Sequence, residues 1–487
     1  MVTFSVALVL LILGYFLYGK LISKVIKVDP DKSTPAYKLQ DGVDYVPMPT
    51  WKLYTIQFLN IAGTGPIFGA IMGSLFGSAA YIWIVVGCIF GGATHDYISG
   101  MISLRHNGES HTMMIQRYLG KGAYNVVMIV ILVLMFLVGS AFVYTPAELL
   151  AGMTSGFTIG ENFTFTPKIA MYVWMVIIFI YYIIACIMPI DKIIGRIYPV
   201  FAVALIFMAV GIMGYMFVHW PSIPEVTDGL QNMMPNPKSH PIFPMMFVTI
   251  ACGAVSGFHA TQSPMMARCM KNERYGRPIF YGAMITEGIV ALIWCAAANV
   301  YFSELPAGSA AADAPEIVNL ISKEWLGPVG GILALLGIVF APITTGDTAL
   351  RSVRLIIADH FHIDQKSLFN KLKICVPVFA ITMLLIVFAM IEGFDVLWRY
   401  LSWVNQILAV FTLWACSVYL YRKRGYWHYI MMIPAIFMTM VVISYIFIAP
   451  EGLGLVQYYD WVLLGAGFTA ILISRWFYSR ERKLKEM

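Results

Sequence analysis

Apolar residues in this chain run in unbroken stretches of about twenty, parted by short polar connections, instead of alternating with polar ones as in a membrane β-barrel. Thirteen stretches follow one another, at 3–22, 51–75, 79–101, 123–146, 168–188, 197–218, 242–263, 279–302, 327–346, 374–391, 398–421, 428–448 and 459–478. Coiled at about 1.5 Å per residue, each is as long as the hydrocarbon of a bilayer is thick. The pattern therefore predicts an all-α polytopic membrane protein, a single integral domain over 1–487 with about thirteen transmembrane helices in the lipid bilayer.

Two stretches are interrupted by small and polar residues. The second span contains Asn60-Ile61-Ala62-Gly63-Thr64-Gly65-Pro66, and the seventh contains Ala251-Cys252-Gly253-Ala254-Val255-Ser256-Gly257-Phe258-His259-Ala260-Thr261-Gln262-Ser263-Pro264. Pro66 has no amide hydrogen to donate and the glycines admit unusual torsions, so both segments are expected to be discontinuous helices. Unpaired backbone is costly in lipid and persists only against protein or a polar cavity. The breaks lie five spans apart, and an odd offset reverses direction. Spans two to six (51–218) and seven to eleven (242–421) are thus predicted to form the 5+5 inverted repeat of a LeuT-like core, with a transport site at the breaks. Residues 1–50 form a peripheral first helix and cytoplasmic loop, and 428–478 two peripheral helices.

Charge fixes the orientation. Placing the N-terminus outside and the C-terminus in the cytoplasm puts 28 Lys and Arg on the inner side and leaves only Lys168, Lys238, Lys323 and Arg399 outside. The net charge of +6 is a topology signal and implies no nucleic acid partner. Composition agrees with the class: 60% of residues are apolar, 12% are charged, and the mean hydropathy is +0.77. The seven cysteines are scattered without CxxC spacing, so neither a disulfide framework nor a metal site is expected. The external loop 303–326 is acidic. Segment 351–373 mixes basic and apolar residues and reads equally as an interfacial helix or as a basic loop.

The candidate chemistry gathers at the breaks. Freed amides near Gly63, Thr64 and Gly65 suit a substrate carboxylate, and freed carbonyls suit a cation. In the second break Ser256, His259, Thr261 and Gln262 supply a density of hydrogen-bonding groups, with His259 a candidate for substrate or proton handling. Asp96, Glu287, Thr344, Thr345 and Asp347 are candidates to bind a proton or a sodium ion. Asp96 reads either as an inner-gate carboxylate or as an interfacial partner of Arg105. Arg351 stands four residues after Asp347 and is expected to pair with it. Thr344 and Thr345 complete a cation site or bond back to their own helix. Pro66, Arg105, Arg351, Asn405 and Gln406 are assigned gating or structural roles.

These residues resemble the carbon starvation protein A family, relatives of the amino-acid/polyamine/organocation superfamily. The resemblance is carried by Ile61-Ala62-Gly63-Thr64-Gly65-Pro66, then Trp83, Gly87, Asp96, Ser103, Arg105, Gly108 and Ser110 in order. It continues through Ile250–Ala260, Asp347 with Arg351, and Leu397-Trp398 before Asn405-Gln406. It implies a secondary transporter of a bacterial inner membrane that takes up small carbon compounds, peptides or pyruvate, with proton coupling. Such a protein needs no cofactor and makes no covalent bond, so no enzyme activity is expected. His95 before Asp96 and Asp347-Thr348-Ala349 depart from the family pattern. The alternatives are a sodium-coupled amino-acid transporter, a channel, a transporter-derived sensor, or an intramembrane aspartyl protease built on Asp96 and Asp347. For the last, the sequence Thr344-Thr345-Gly346-Asp347 lacks the first glycine of GxGD.

Overall fold

The computed structural model describes residues 1–486 except 43, 157, 160–162, 165, 188–190, 305–312, 362 and 364–366. Side chains at some further positions, Thr344 among them, also lie outside that description. The helices are α1 (Val2–Ile26), α2 (Thr50–Ile61), α3 (Gly65–Phe76), α4 (Ala79–Arg105), α5 (His111–Leu119), α6 (Lys121–Thr154), α7 (Pro167–Ile187) and α8 (Asp191–His219). They continue with α9 (Ile242–Thr249), α10 (Phe258–Cys269), α11 (Ala283–Glu304), α12 (Ala314–Ala334), α13 (Phe340–His360), α14 (Leu368–Glu392), α15 (Phe394–Arg424), α16 (Tyr429–Ile448) and α17 (Tyr459–Glu486). Thr158–Ile159 and Phe163–Thr164 form a two-residue antiparallel pairing between α6 and α7.

Among the described residues nine helical runs are long and apolar enough to cross a membrane, and two bent pairs, α2 with α3 (45°) and 314–333 with 337–358 (69°), raise the number to eleven. The chain is a multi-pass membrane protein. One of the nine runs, Phe394–Ile448, is 55 residues long and holds both α15 and α16, joined through a 3-10 turn at Gly425–His428. The stretch read as the seventh span is divided between α9 and α10, and neither is long enough to cross alone.

The described residues fall into two compact units, each assembled from separated pieces of chain. Unit 1 holds Met1–Val130, Pro224–Ala296 and Ser402–Met487; unit 2 holds Ile131–Ile223 and Ala297–Leu401. In unit 1, α10 packs along α4 and α2, and α16 packs on α9 and α17. The most apolar windows of α4 and of the run Glu273–Glu304 that contains α11 are 83% and 89% buried, against 28% and 17% for α1 and the run containing α17. The first two helices are therefore interior, and the last two present apolar residues outward, where lipid solvates them.

In unit 2, α8 packs on α12, and α7 on α13 and α14. Helix α6 continues through Pro146 to Thr154, beyond the expected end at 146. Proline removes the amide that the Phe142 carbonyl would accept, and the Tyr182 hydroxyl donates to that carbonyl at 2.8 Å instead. Loop 303–326 is also partly corrected: α12 begins at Ala314 and carries a kink of its own at Gly327 (φ 61°), next to Pro328. The first part of segment 351–373 is a continuation of α13 to His360, neither a separate interfacial helix nor a loop.

Candidate functional site

The two breaks meet inside unit 1. A Cβ on Gly65 would lie 2.5 Å from Cys252 Sγ, and one on Gly69 would lie 2.8 Å from the Thr249 carbonyl oxygen. Helix α4 closes on the second break in the same way, with Gly92 against the Ala254 carbonyl, Gly91 against Val255 and Gly87 against Ala254. Small residues let these backbones approach where larger side chains would hold them apart.

Much of the unwound backbone is already satisfied by side chains. Trp83 Nε1 donates to the Ile250 carbonyl at 3.1 Å, and Gln406 Nε2 to the Val255 carbonyl at 2.8 Å. The Phe258 amide donates to Asn405 Oδ1 at 2.8 Å, and Asn405 Nδ2 donates to Ser256 Oγ at 3.0 Å. Asn405 and Gln406 thus splint the second break, which gives their structural assignment a physical content. Thr261 Oγ1 turns back to the Phe258 carbonyl at 2.6 Å and accepts from Gln262 Nε2 at 2.9 Å.

At the first break, Ala62, Gly63 and Thr64 interrupt the helix and Pro66 sits in the first turn of α3. The Thr64 carbonyl accepts from the Phe68 amide at 2.9 Å. Its hydroxyl is buried without a hydrogen-bond partner, as are both side-chain atoms of Gln57 one helix earlier. Gln57 escaped the sequence reading. A glutamine three residues before Asn60 in an apolar run was the available signal.

The chemical centre is a chain of buried ionisable groups. Asp96 on α4 is fully buried; Oδ1 is 2.7 Å from His95 Nδ1, and Oδ2 is 2.8 Å from His259 Nδ1 at the start of α10. The other face of His259 looks at Glu287 on α11, with Nε2 3.4 Å from Oε2. That distance suits an ion pair, but the groups are not aligned as a hydrogen bond, so His259 Nε2 and both Glu287 oxygens lack hydrogen-bond partners. None of His95, Asp96, His259 and Glu287 exposes measurable side-chain surface. Charges buried so deeply persist only when paired, and the imidazole stands within ion-pair distance of both carboxylates. Cys252 completes the group: its Sγ, a His259 nitrogen and a Glu287 oxygen lie within 4.8 Å of one another. A π-helical stretch precedes each carboxylate, Gly87–Gly92 before Asp96 and Arg277–Gly282 before Glu287, and such bulges reorient the side chains that follow them.

Arg105 has no part in this centre. Nine residues beyond Asp96, it lies about 13 Å further along the helix. It pairs with Glu273 at 2.8 Å, caps the Ile26 and Lys27 carbonyls at 3.1 and 3.0 Å, and donates to the Tyr419 hydroxyl at 2.8 Å. The interfacial Asp96–Arg105 pair is thereby replaced by an Arg105–Glu273 clamp at the end of α1.

Asp347, Thr345 and Arg351 belong to unit 2. Asp347 Oδ1 pairs with Arg351 Nη2 at 3.1 Å, Tyr181 donates to Oδ2 at 3.4 Å, and Arg351 also donates to the Ala185 carbonyl. Thr345 bonds back to the Ala341 carbonyl at 3.1 Å. The Thr344 side chain lies outside the described residues. Asp96 and Asp347 each have basic partners within their own unit, unlike two facing carboxylates that share a proton.

The family model for the carbon starvation protein CstA matches residues 1–172 and 147–330. The chain belongs to the CstA family. An uncharacterized membrane protein of Haemophilus influenzae is 44% identical over 61% of this chain and 90% of its own. The peptide transporter CstA of Campylobacter jejuni is 28% identical over 59% of this chain, and the pyruvate/proton symporter BtsT of Escherichia coli 27% identical over 59%. Those matches span about half of each transporter, 48% and 46%. Among solved structures, the manganese transporter of Eremococcus coleocola shares the fold, with a TM-score of 0.53 at 12% identity over 91% of this chain and 99% of that one. Of the residues that carried the resemblance, Trp83, Asp96, Ser256, His259, Asn405 and Gln406 belong to unit 1, and Asp347, Arg351, Leu397 and Trp398 to unit 2.

Proposed function

We propose that this CstA-family chain is a proton-coupled secondary transporter of a bacterial inner membrane that takes up small carboxylate-bearing carbon compounds, pyruvate or peptides, by alternating access. The observation that carries the reading is the fully buried Asp96–His259–Glu287 chain beside two abutting helix breaks. Buried ionisable residues within a membrane protein mark ion or proton pathways. The imidazole stands between two carboxylates, so it is a proton carrier. A substrate carboxylate at His259 would be repelled by Asp96 and Glu287. Substrate binding is therefore assigned to the first break, where the Thr64 hydroxyl and the Gln57 amide have unspent hydrogen-bonding capacity.

The proposed topology has thirteen crossings with the N-terminus outside, the C-terminus cytoplasmic and a LeuT-like 5+5 repeat. The division into units supports it. The repeat over 51–218 places 51–130 in unit 1 and the remainder in unit 2; the repeat over 242–421 places 242–296 and 402–421 in unit 1 and 297–401 in unit 2. The first four spans of each repeat thus divide between the units in the same order, as repeats of one ancestral element do, whereas the fifth spans, 197–218 and 398–421, part company. The names of relatives agree in class, since one is a peptide transporter and another a pyruvate/proton symporter.

The deciding experiment is uptake of labelled pyruvate and of a labelled dipeptide into proteoliposomes, with an imposed proton gradient and no sodium. Gradient-dependent, saturable accumulation of one of them is the expected result. Accumulation only when sodium is supplied would replace proton coupling, and failure of both solutes under either gradient would remove the reading.

A further inference from the structure

We propose that Cys252, His259 and Glu287 form a binding site for a divalent cation of the zinc class. The starting point is the orphaned polar surface at the centre of unit 1. His259 Nε2 and both oxygens of Glu287 are fully buried and lack hydrogen-bond partners, and they face each other at 3.4 Å. Their mutual contact is an ion-pair distance without a hydrogen bond, and a buried polar group that makes no hydrogen bond costs about 1–3 kcal/mol. Cys252 Sγ, partly exposed, closes a triangle with them in which every ligand atom lies within 4.8 Å of the others.

The dimensions suit coordination. Tetrahedral bonds of about 2.0 Å to nitrogen or oxygen and about 2.3 Å to one sulfur set ligand atoms about 3.3–3.5 Å apart. The His259–Glu287 pair already meets that separation, and the thiol needs to move inward by about 1.3 Å at most. Three protein ligands leave a fourth position for water or an exchangeable group.

The imidazole is oriented as a metal ligand. A coordinating histidine characteristically gives its second ring N–H to a carboxylate, which fixes the ring and turns the other nitrogen's electron pair toward the ion. Asp96 accepts from His259 Nδ1 at 2.8 Å, and His95 holds the other Asp96 oxygen at 2.7 Å. That outer layer leaves Nε2 directed at Glu287. The donor set selects the class of ion: magnesium and calcium take oxygen ligands, whereas one thiolate, one imidazole and one carboxylate suit zinc and its close relatives. Residues 252, 259 and 287 stand on a break, a helix and a second helix, which is why spacing along the chain conceals them. The single electron pair of Nε2 holds a proton or a metal ion, never both.

The site is testable without transport, so its failure and that of the transporter reading are separable. The full chain in lipid nanodiscs, stripped by a chelator, is titrated with zinc chloride, and the loaded sample is measured by zinc-edge X-ray absorption. The expected result is one zinc per chain with one sulfur neighbour at about 2.3 Å and lighter neighbours at about 2.0 Å. Cys252→Ser removes the sulfur signal, and Asp96→Asn, which touches only the ligand's far nitrogen, weakens binding about 10–100-fold. Absence of saturable binding by the unaltered chain, a zinc shell without sulfur, or full-affinity binding by a folded Cys252→Ser variant would each overturn the proposal. The absorption spectrum of the unaltered chain decides even where a variant fails to fold.

Discussion

At the scale of single residues, His259 is the pivot, because each ring nitrogen faces a different buried carboxylate. His259→Gln is expected to reduce gradient-driven uptake to background while the protein still purifies as a monodisperse species. Near-normal uptake by that variant would remove His259 from the pathway. Glu287→Gln keeps the shape but not the charge, so substrate exchange at equilibrium should persist while uphill accumulation fails; comparing counterflow with accumulation separates the two. Sequence marked His259, Asp96 and Glu287 individually, because ionisable groups are costly in an apolar run. It did not reveal that they share one proton's reach, since they are separated by 163 residues between Asp96 and His259 and come from different helices. Arg105 shows the opposite case. It was given a gating or structural role, with Asp96 nearby in sequence as one possible partner, whereas Glu273 is its partner in space.

At the scale of elements, the break in the seventh apolar stretch is held open by side chains from elsewhere. Asn405→Ala strands the buried Phe258 amide and should destabilise the chain by about 1–3 kcal/mol, whereas Asn405→Asp keeps an acceptor there. Thermal unfolding of both variants in detergent is the check, and equal melting temperatures would refute the capping role. Close approach supplies a second test. A Cβ on Gly92 would lie 2.1 Å from the Ala254 carbonyl oxygen, while one on Gly214 meets nothing within 4 Å. Gly92→Ala should therefore cost about 1–3 kcal/mol or more through overpacking, and Gly214→Ala should be neutral or mildly stabilising. Both breaks were legible from glycine and proline placed in apolar runs. Helix α6 ran past its expected end because Tyr182, remote in sequence, compensates for Pro146.

At the scale of the whole molecule, the proposed proton coupling predicts a definite sign. If the cluster loads from outside, lowering the external pH at fixed internal pH should raise the initial rate of uptake, and raising it should lower the rate. A rate indifferent to external pH but dependent on sodium would refute coupling through this cluster. Orientation is a separate matter: cysteine labels placed near Met1 and beyond Arg480 should react from outside and from the cytoplasm respectively, and the reverse pattern would invert the topology.

The membrane class, the family resemblance, the position of both helix breaks and the cost of the ionisable residues beside them were all legible in the order of residues. Each depends on local composition, because a bilayer judges a segment by its own apolar length and its own unpaired groups. Only the tertiary structure decided that Asp96, His259, Glu287 and Cys252 face one another, that Arg105 belongs with Glu273, and that Asn405 and Gln406 satisfy a distant backbone. Those pairings depend on how helices abut, and nothing in the spacing along one helix states which residue of another will stand opposite.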